Sequence, residues 1–214
     1  MQKNLTELVF ILDRSGSMAG LESDTIGGFN AMLEKQRKEP GRALISTVLF
    51  DDASQVIHDR VDIQRIEPMT DRQYFVRGCT ALLDAVGSAI THIRNVHKYA
   101  REEDRPEKTL FVITTDGMEN ASRHYSYDRL KEMIRQQQTQ GWEFLFLGAN
   151  IDAAKEAARF GIHRDCAADY HADKEGTAVI YEAVNQAVCA MRACQPMDSS
   201  WKRSVDKDYQ SRKR

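Results

Sequence analysis

The stretch Val9–Met18, with the sequence VFILDRSGSM, decides the fold of this 214-residue chain. The apolar run from Leu8 to Leu12 is short, unbroken and partly β-branched or aromatic, which is typical of a buried strand. Asp13, Ser15 and Ser17 follow at alternate positions, so an extended backbone would point all three side chains to one side. Carboxylate and hydroxyl oxygens at the end of a strand are hard ligands, which suit Mg²⁺ or Mn²⁺ better than zinc or copper.

The motif Asp13-Arg14-Ser15-Gly16-Ser17-Met18 resembles the metal-ion-dependent adhesion site (MIDAS) of von Willebrand factor type A (VWA) domains. That family has two further elements, a threonine in a later loop and an aspartate after a later strand. The segment Gly78-Cys79-Thr80-Ala81-Leu82 is similar to the threonine loop, and Thr115-Asp116-Gly117 is similar to the aspartate element. The resemblance extends over roughly residues 6–191 and points to the intracellular type found in bacteria or phages.

Composition favours a globular domain in the cytoplasm. The chain has 30 basic and 32 acidic side chains, so no broad electrostatic field indicates nucleic acid as the main partner. No apolar run approaches the about 20 residues of a membrane span. The run after Glu7 is too short for a signal peptide and leads directly into the motif. The four cysteines are scattered without paired spacing, so we expect reduced thiols that are buried or half-buried.

Strand patterns alternate with helix patterns along the chain. Besides the first run, strands are predicted at Ala43–Phe50, Gln55–Val61, Lys108–Thr115, Trp142–Leu147 and Asp165–Ala168. Helices are predicted at about Glu22–Lys38, from Leu82 through Val96, Tyr127–Gln138, Asp152–Arg159 and Thr177–Met191. This alternation predicts a doubly wound, Rossmann-like α/β fold. The sheet is mostly parallel, with helices on both faces, and the tight connection before Gln55 predicts one antiparallel edge strand.

In such a sheet, ligands bind outside the carboxyl ends of strands, where Asp13 and Asp116 are predicted to lie. We therefore predict one divalent cation, held by oxygens from three loops. The predicted ligands are Asp13, Ser15, Ser17, Thr80 and Asp116. Each of these residues, taken singly, could instead be an ordinary turn or cap residue, and Thr80 fits the N-cap of the following helix.

Other polar residues receive plainer interpretations. Asp84 lies inside a helix and is assigned a solvated or capping role, while Asp51 and Asp52 are assigned to a hairpin turn. Glu119 and Asn120 are candidates for the rim of the site. The six histidines lack the spacing of metal ligands and are taken as surface or core residues.

The resemblance implies a non-enzymatic module that binds a protein partner through Mg²⁺ or Mn²⁺ rather than Ca²⁺. The serines and the threonine would ligate directly, and the aspartates directly or through water. A partner's Asp or Glu carboxylate would complete the ion. By the same resemblance, the chain would be an adaptor in a multiprotein assembly or a stress-response system, since some relatives act with ring-shaped AAA+ ATPases and some belong to bacterial stress-resistance clusters. Residues 1–193 would form this domain, followed by a basic, solvated tail at 194–214.

Two other functional classes stay open. A metal-dependent hydrolase is one, although the chain has neither a GxxxxGK[ST] loop nor a Gly-x-Ser-x-Gly elbow. RNA binding through the basic segment Trp201–Arg214 is the other, as the resemblance implies for a few relatives.

Overall fold

A computed structural model of the chain describes residues 2–212. Its strands are β1 (Gln2–Asp13), β2 (Arg42–Phe50), β3 (Ser54–Asp62), β4 (Pro106–Thr115), β5 (Trp142–Ala149) and β6 (Ala167–Tyr170). Its helices are α1 (Glu22–Arg37), α2 (Leu82–Tyr99), α3 (Tyr127–Gln138), α4 (Ala153–Arg159), α5 (Lys174–Arg192) and α6 (Arg203–Ser211).

The strands form one sheet in the order β3-β2-β1-β4-β5-β6. All neighbouring pairs are parallel except β2 and β3, so β3 is an antiparallel edge strand. From β1 the chain first builds the sheet on one side, through β2, and then crosses to the other side at β4. The carboxyl ends of β1 and β4 are therefore neighbours at a topological switch point, which is where open α/β sheets bind ligands.

Alternate residues of the central strands supply two separate cores. Leu8, Phe10 and Leu12 of β1 pack with α1, α5 and α6, whereas Val9 and Ile11 pack with α2, α3 and α4. This two-sided burial explains why the strands are unbroken apolar runs rather than alternating ones. The predicted doubly wound architecture with one antiparallel edge strand is confirmed.

Most predicted elements lie within a few residues of the observed ones, and α3 has the predicted bounds. The last strand is displaced. Asp165 belongs to a 3₁₀ turn at Arg164–Cys166, and β6 runs from Ala167 to Tyr170, pairing with the end of β5. A strand of four residues at a sheet edge has too few apolar positions to set its bounds by pattern alone.

The expectation of a solvated tail is wrong for residues 199–211. They form a short 3₁₀ turn and α6, which pack on the α5 side of the sheet. Trp201 is 4% exposed, and its indole nitrogen donates to Asp165 O at 3.0 Å. Two basic side chains of the C-terminal segment are also engaged: Lys202 donates to Ala167 O at 2.6 Å, and Arg212 pairs with Asp173 at 2.6 Å.

All four cysteines are free thiols. Cys166 and Cys189 are half-buried as expected, but Cys79, in the loop before α2, and Cys194, in the turn after α5, are exposed. Among the described residues, no helix is both long and apolar enough to cross a bilayer.

Candidate metal centre

The first loop of the candidate site curls directly after β1. Ser15 N donates to Asp13 Oδ1 at 2.7 Å, which turns the chain back toward the carboxylate. A single 3₁₀ turn at Gly16–Met18 follows and places Ser17 Oγ 3.2 Å from Ser15 Oγ. Asp13 and Ser15 are buried, whereas Ser17 is exposed. The three side chains thus share one side of the loop, as their alternate spacing predicts, and the site meets solvent at Ser17.

The aspartate after β4 joins the same cluster. Ser17 Oγ donates to Asp116 Oδ1 across 99 residues of sequence. Asp116 is buried, and its second carboxylate oxygen, Oδ2, has no hydrogen-bond partner. A buried carboxylate oxygen without a donor costs free energy, so this atom needs a positive partner.

The threonine loop closes the cluster from a third direction. Gly16 N donates to Gly78 O at 3.1 Å, which ties this loop to the first one. Thr80 is buried, and the position that a Cβ on Gly117 would take lies 3.6 Å from Thr80 Oγ1 and 3.4 Å from Ser17 Oγ. The absent side chain at Gly117 thus leaves a small space between these two hydroxyls.

Gly78 shows why the threonine loop needs a glycine. Its φ is +67°, a left-handed value that side chains disfavour. A Cβ there would also lie 2.5 Å from Asp52 Oδ2, whose carboxylate accepts from Cys79 N at 2.7 Å through its other oxygen. Asp52 therefore does more than form a hairpin turn, because it packs against the threonine loop.

Burial raises the pKa values of the two carboxyl groups of the site. It raises the pKa of Asp13 to about 6, against the opposing hydrogen bonds from Ser15 and Thr115, and the nearby Asp116 charge adds to the rise. Burial also raises the pKa of Asp116, against the hydrogen bond from Ser17. Two buried carboxylates that repel each other form a site that favours a bound cation.

The interpretation of Thr80 as an N-cap is wrong. Ala81 occupies the cap position of α2, without a side-chain cap. The first amides of the helix are satisfied from the loop after β4: Leu83 N donates to Glu119 Oε2 at 2.9 Å, and Asp84 N donates to Ser122 Oγ at 3.0 Å. These tertiary caps leave the Thr80 hydroxyl outside the capping of α2.

The other predicted polar residues have structural roles around the site. Asn120 exchanges two hydrogen bonds with the main chain of Thr80, at 2.9 and 3.1 Å. The Asp84 carboxylate is not merely solvated, because it accepts from the backbone amides of residues 123–125 at 2.8 to 2.9 Å. Both groups hold the loop that follows Asp116. Of the histidines, His58 is buried beside Thr47 and His97 pairs with the buried Glu7.

Two residues of the site were missed by sequence reasoning. The Thr115 hydroxyl donates to Asp13 Oδ2 at 2.6 Å, although the residue was given no role beyond its place in the strand and in the Thr115-Asp116-Gly117 element. Arg14 was quoted in the motif without a role, yet its side chain is 1% exposed and bonds to Asp51. Both residues stand next to predicted ligands in the sequence, which was a signal that they could belong to the site. Their roles, however, become visible only from their neighbours in space.

The residues fit a hard cation by their donor chemistry. Hydroxyls and carboxylates converge, and the orphaned Asp116 Oδ2 and the space at Gly117 lie among them. Within residues 2–212, no three His, Cys, Asp or Glu side chains are grouped to hold a metal ion. A cation here would therefore depend on the serine and threonine hydroxyls, which oxygen-seeking ions such as Mg²⁺ accept.

No protein-family model and no curated protein matches this chain. Solved structures do resemble it. The von Willebrand factor domain of the type V pili tip protein Mfa5 from Porphyromonas gingivalis has a TM-score of 0.61 at 10% identity, covering 86% of this chain and 94% of that one. Proximal thread matrix protein 1 from the mussel byssus, with a zinc-occupied MIDAS motif, has a TM-score of 0.59 at 15% identity, covering 86% and 46%.

A von Willebrand factor type A structure from Catenulispora acidiphila has a TM-score of 0.56 at 14% identity, covering 86% of this chain and 42% of that one. The present chain thus spans less than half the length of the byssus and Catenulispora proteins. At these identities the likeness concerns the fold. Sheet order, antiparallel edge and structural neighbours together show that this chain has the von Willebrand factor type A fold.

Proposed function

We propose that this protein is a non-enzymatic protein-binding module that recognises its partner through a divalent cation. The proposed ligands, directly or through water, are Asp13, Ser15, Ser17, Thr80 and Asp116. The fold supports the proposal because it brings the three loops that carry these residues to one switch point of the sheet.

The observation that carries the proposal is the unpartnered oxygen of Asp116. Asp116 Oδ2 is buried without a hydrogen bond, while Oδ1 accepts from Ser17. Nearby, Asp13 is a second buried carboxylate, whose two oxygens accept from Ser15 N and Thr115 Oγ1. A cation among these groups would satisfy the orphaned oxygen and remove the repulsion between the two carboxylates.

The donor set favours Mg²⁺ or Mn²⁺ over Ca²⁺. Mg²⁺ prefers six oxygens in octahedral geometry and retains waters, whereas Ca²⁺ takes six to eight ligands and commonly a bidentate carboxylate. Hydroxyl ligands carry no charge, so an ion that holds the two aspartates through water keeps an affinity for a further anionic oxygen. An Asp or Glu carboxylate of a partner protein would supply that oxygen, with Ser17 at the solvent side of the site.

Structural neighbours support, in general terms, both the binding of a divalent cation and the binding of a protein partner. The byssus protein has a zinc-occupied MIDAS motif, and Mfa5 is a pili tip protein. An AAA+ ATPase as partner and a cytoplasmic location stay predictions from the sequence.

Metal binding is tested by titrating the metal-free protein with MgCl₂ and with MnCl₂ in a calorimeter. We expect Ser15→Ala and Thr80→Ala to weaken binding while the circular dichroism spectrum and unfolding midpoint in EDTA stay near those of the wild type. Ser88→Ala, an exposed serine on α2, is the matched control. Unaltered ion affinity in both site variants would refute the ligand set.

Partner binding is tested by affinity capture from native lysate in three arms: wild type with Mg²⁺, wild type with EDTA, and Ser15→Ala with Mg²⁺. A protein captured only in the first arm is the expected result. Capture that is the same in all three arms would place partner binding on another surface. Divalent-ion-dependent turnover of a phosphoester or peptide panel would favour a hydrolase instead.

A further inference from the structure

Asp51 connects two of the loops that carry the proposed ligands. It lies in the turn between β2 and β3 and is buried. Its Oδ2 accepts from Arg14 Nε at 2.7 Å and from Arg77 Nε at 2.8 Å. Arg14 stands between Asp13 and Ser15, and Arg77 begins the segment that leads to Thr80. One carboxylate oxygen therefore joins the first loop of the site, which carries Ser15 and Ser17, to the threonine loop.

The main chain of the same turn reinforces this connection. Phe50 O accepts from Arg14 N at 2.8 Å, and Asp51 O accepts from Ala81 N at 2.8 Å. Arg77 N in turn donates to Arg14 O at 3.0 Å. The bonds of Arg14 fix the main chain beside Ser15, and the bond from Ala81 N fixes the main chain beside Thr80. The turn therefore sets the separation between the loop that carries Ser15 and the threonine loop.

The Arg14 side chain has the contacts of a fixed element. Besides Asp51, it donates to Gln55 Oε1 at 2.7 Å and to Gln73 O at 3.2 Å. The Phe75 ring lies 5.3 Å from the guanidinium carbon of Arg14 and also 5.3 Å from that of Arg77. A planar guanidinium with several bonded donors has little freedom to move, which makes this group suited to hold a loop in place.

We propose that Asp51, with Arg14 and Arg77, positions the Thr80 hydroxyl relative to Ser15 and Ser17 for the divalent ion. None of the three is a ligand; they act through the loops that they join. This inference rests on the proposed metal site. Groups that orient ligands without touching the ion commonly change metal affinity by about 10- to 100-fold.

Arg77→Gln tests the inference with little risk to folding, because the Arg77 side chain is 53% exposed. We expect the Mn²⁺ dissociation constant, measured by calorimetry, to rise about tenfold. The unfolding midpoint in EDTA should stay close to that of the wild type, because Arg77 is largely exposed and the buried Asp51 carboxylate keeps its ion pair with Arg14. The matched control is Arg42→Gln, which removes a surface pair with Asp62 at 3.4 Å, at the end of the β2–β3 pair away from Asp51.

A double-mutant cycle with Thr80→Ala tests whether Arg77 acts on Mn²⁺ affinity by positioning Thr80 or weakens the binding in some other way. If Arg77 acts through Thr80, Arg77→Gln weakens Mn²⁺ binding less in the Thr80→Ala background than in the wild type. Equal effects in both backgrounds, or an effect of Arg77→Gln no larger than that of Arg42→Gln, would overturn the inference. If Thr80→Ala itself leaves affinity unchanged, Thr80 is not a ligand and the inference fails. If Ser15→Ala also leaves affinity unchanged, the proposed metal site fails as well. If Thr80→Ala weakens binding but Arg77→Gln does not, the inference fails while the proposed metal site stands.

Discussion

The Thr115 hydroxyl donates a 2.6 Å hydrogen bond to Asp13 Oδ2 and so joins the ends of two neighbouring parallel strands. Thr115 is the last residue of β4 and Asp13 the last residue of β1. Asp13 Oδ1 is occupied by Ser15 N. The carboxylate is thereby held in one orientation by its own loop and by the strand that leads to Asp116.

Thr115→Val replaces this hydroxyl by a methyl of similar shape. We expect Mg²⁺ binding to weaken by about 10- to 100-fold, because the carboxylate loses one of its two orienting bonds. The unfolding free energy in EDTA should fall by about 1–3 kcal/mol, since a buried acceptor is left unsatisfied. Thr114→Val is the control, because the Thr114 hydroxyl makes only a 3.5 Å contact with Ile11 O. We expect this variant to change both the Mg²⁺ affinity and the unfolding free energy much less than Thr115→Val does. Equal effects of the two variants would contradict this role of Thr115.

Gly117→Ala adds a methyl 3.4 Å from Ser17 Oγ and 3.6 Å from Thr80 Oγ1. These are ordinary contact distances, so the fold should tolerate the change and gain up to about 1 kcal/mol from reduced chain entropy. We expect metal affinity to fall at least about tenfold, because the methyl occupies the space between two proposed ligands. Gly27→Ala on α1 meets nothing within 4 Å and serves as control. Full metal affinity in Gly117→Ala would show that the ion does not use this space.

Metal affinity should depend on pH through Asp13. Burial raises the pKa of this group to about 6, so protons compete with the cation in mildly acidic solution. We expect calorimetric Mg²⁺ affinity to increase as the pH is raised toward 6 and to level off above about 7. Affinity that is constant between pH 5 and pH 7 would exclude Asp13 from the site.

The same pKa shift predicts a pH dependence of folding in the metal-free protein. The folded chain binds the Asp13 proton more tightly than the unfolded chain, whose pKa is near 3.8. The contribution of this group to the unfolding free energy therefore decreases as the pH rises from about 4 to about 6, and stays constant above. Urea unfolding of the wild type and Asp13→Asn in EDTA isolates this contribution. If the unfolding free energy of the wild type, relative to that of Asp13→Asn, increased with pH between about 4 and 6, the result would contradict the burial of Asp13.

Trp201→Ala tests whether the C-terminal segment is docked in solution. Trp201 is 4% exposed within the core on the α5 side, so its removal should lower the unfolding free energy by about 3–5 kcal/mol. Tyr99→Ala, at a ring that is 79% exposed, should change it by less than about 0.5 kcal/mol. Equal urea midpoints for the two variants would show that the segment is not packed against the domain.

Much of the fold could be predicted from the sequence because its signals are local. Helix α3 shows a period of 3.6 between a cap residue, Ser126, and Gly141, and its bounds were predicted correctly. The β1 and β4 runs are buried on both faces, which leaves the unbroken apolar pattern typical of central strands in a parallel sheet. The position of Asp13 and Asp116 at strand ends then follows from the parallel sheet itself.

The roles that were missed depend on neighbours far away in sequence. Glu119 satisfies an amide at the start of α2, so Thr80 is not the cap that its position indicated. Trp201 is buried only because α5 and α6 meet the sheet beside it. Periodicity describes each segment alone and carries no information about which loop lies opposite.

The sequence by itself determined the doubly wound sheet and the residue types offered at its switch point, because strand burial and oxygen chemistry are properties of short segments. Only the tertiary structure decided which of those oxygens lack partners, and that Arg14 lies buried against Asp51. The physical reason is that hydrogen-bond satisfaction is set by groups brought together from distant positions. A side chain's role in the site is therefore defined by its spatial neighbours.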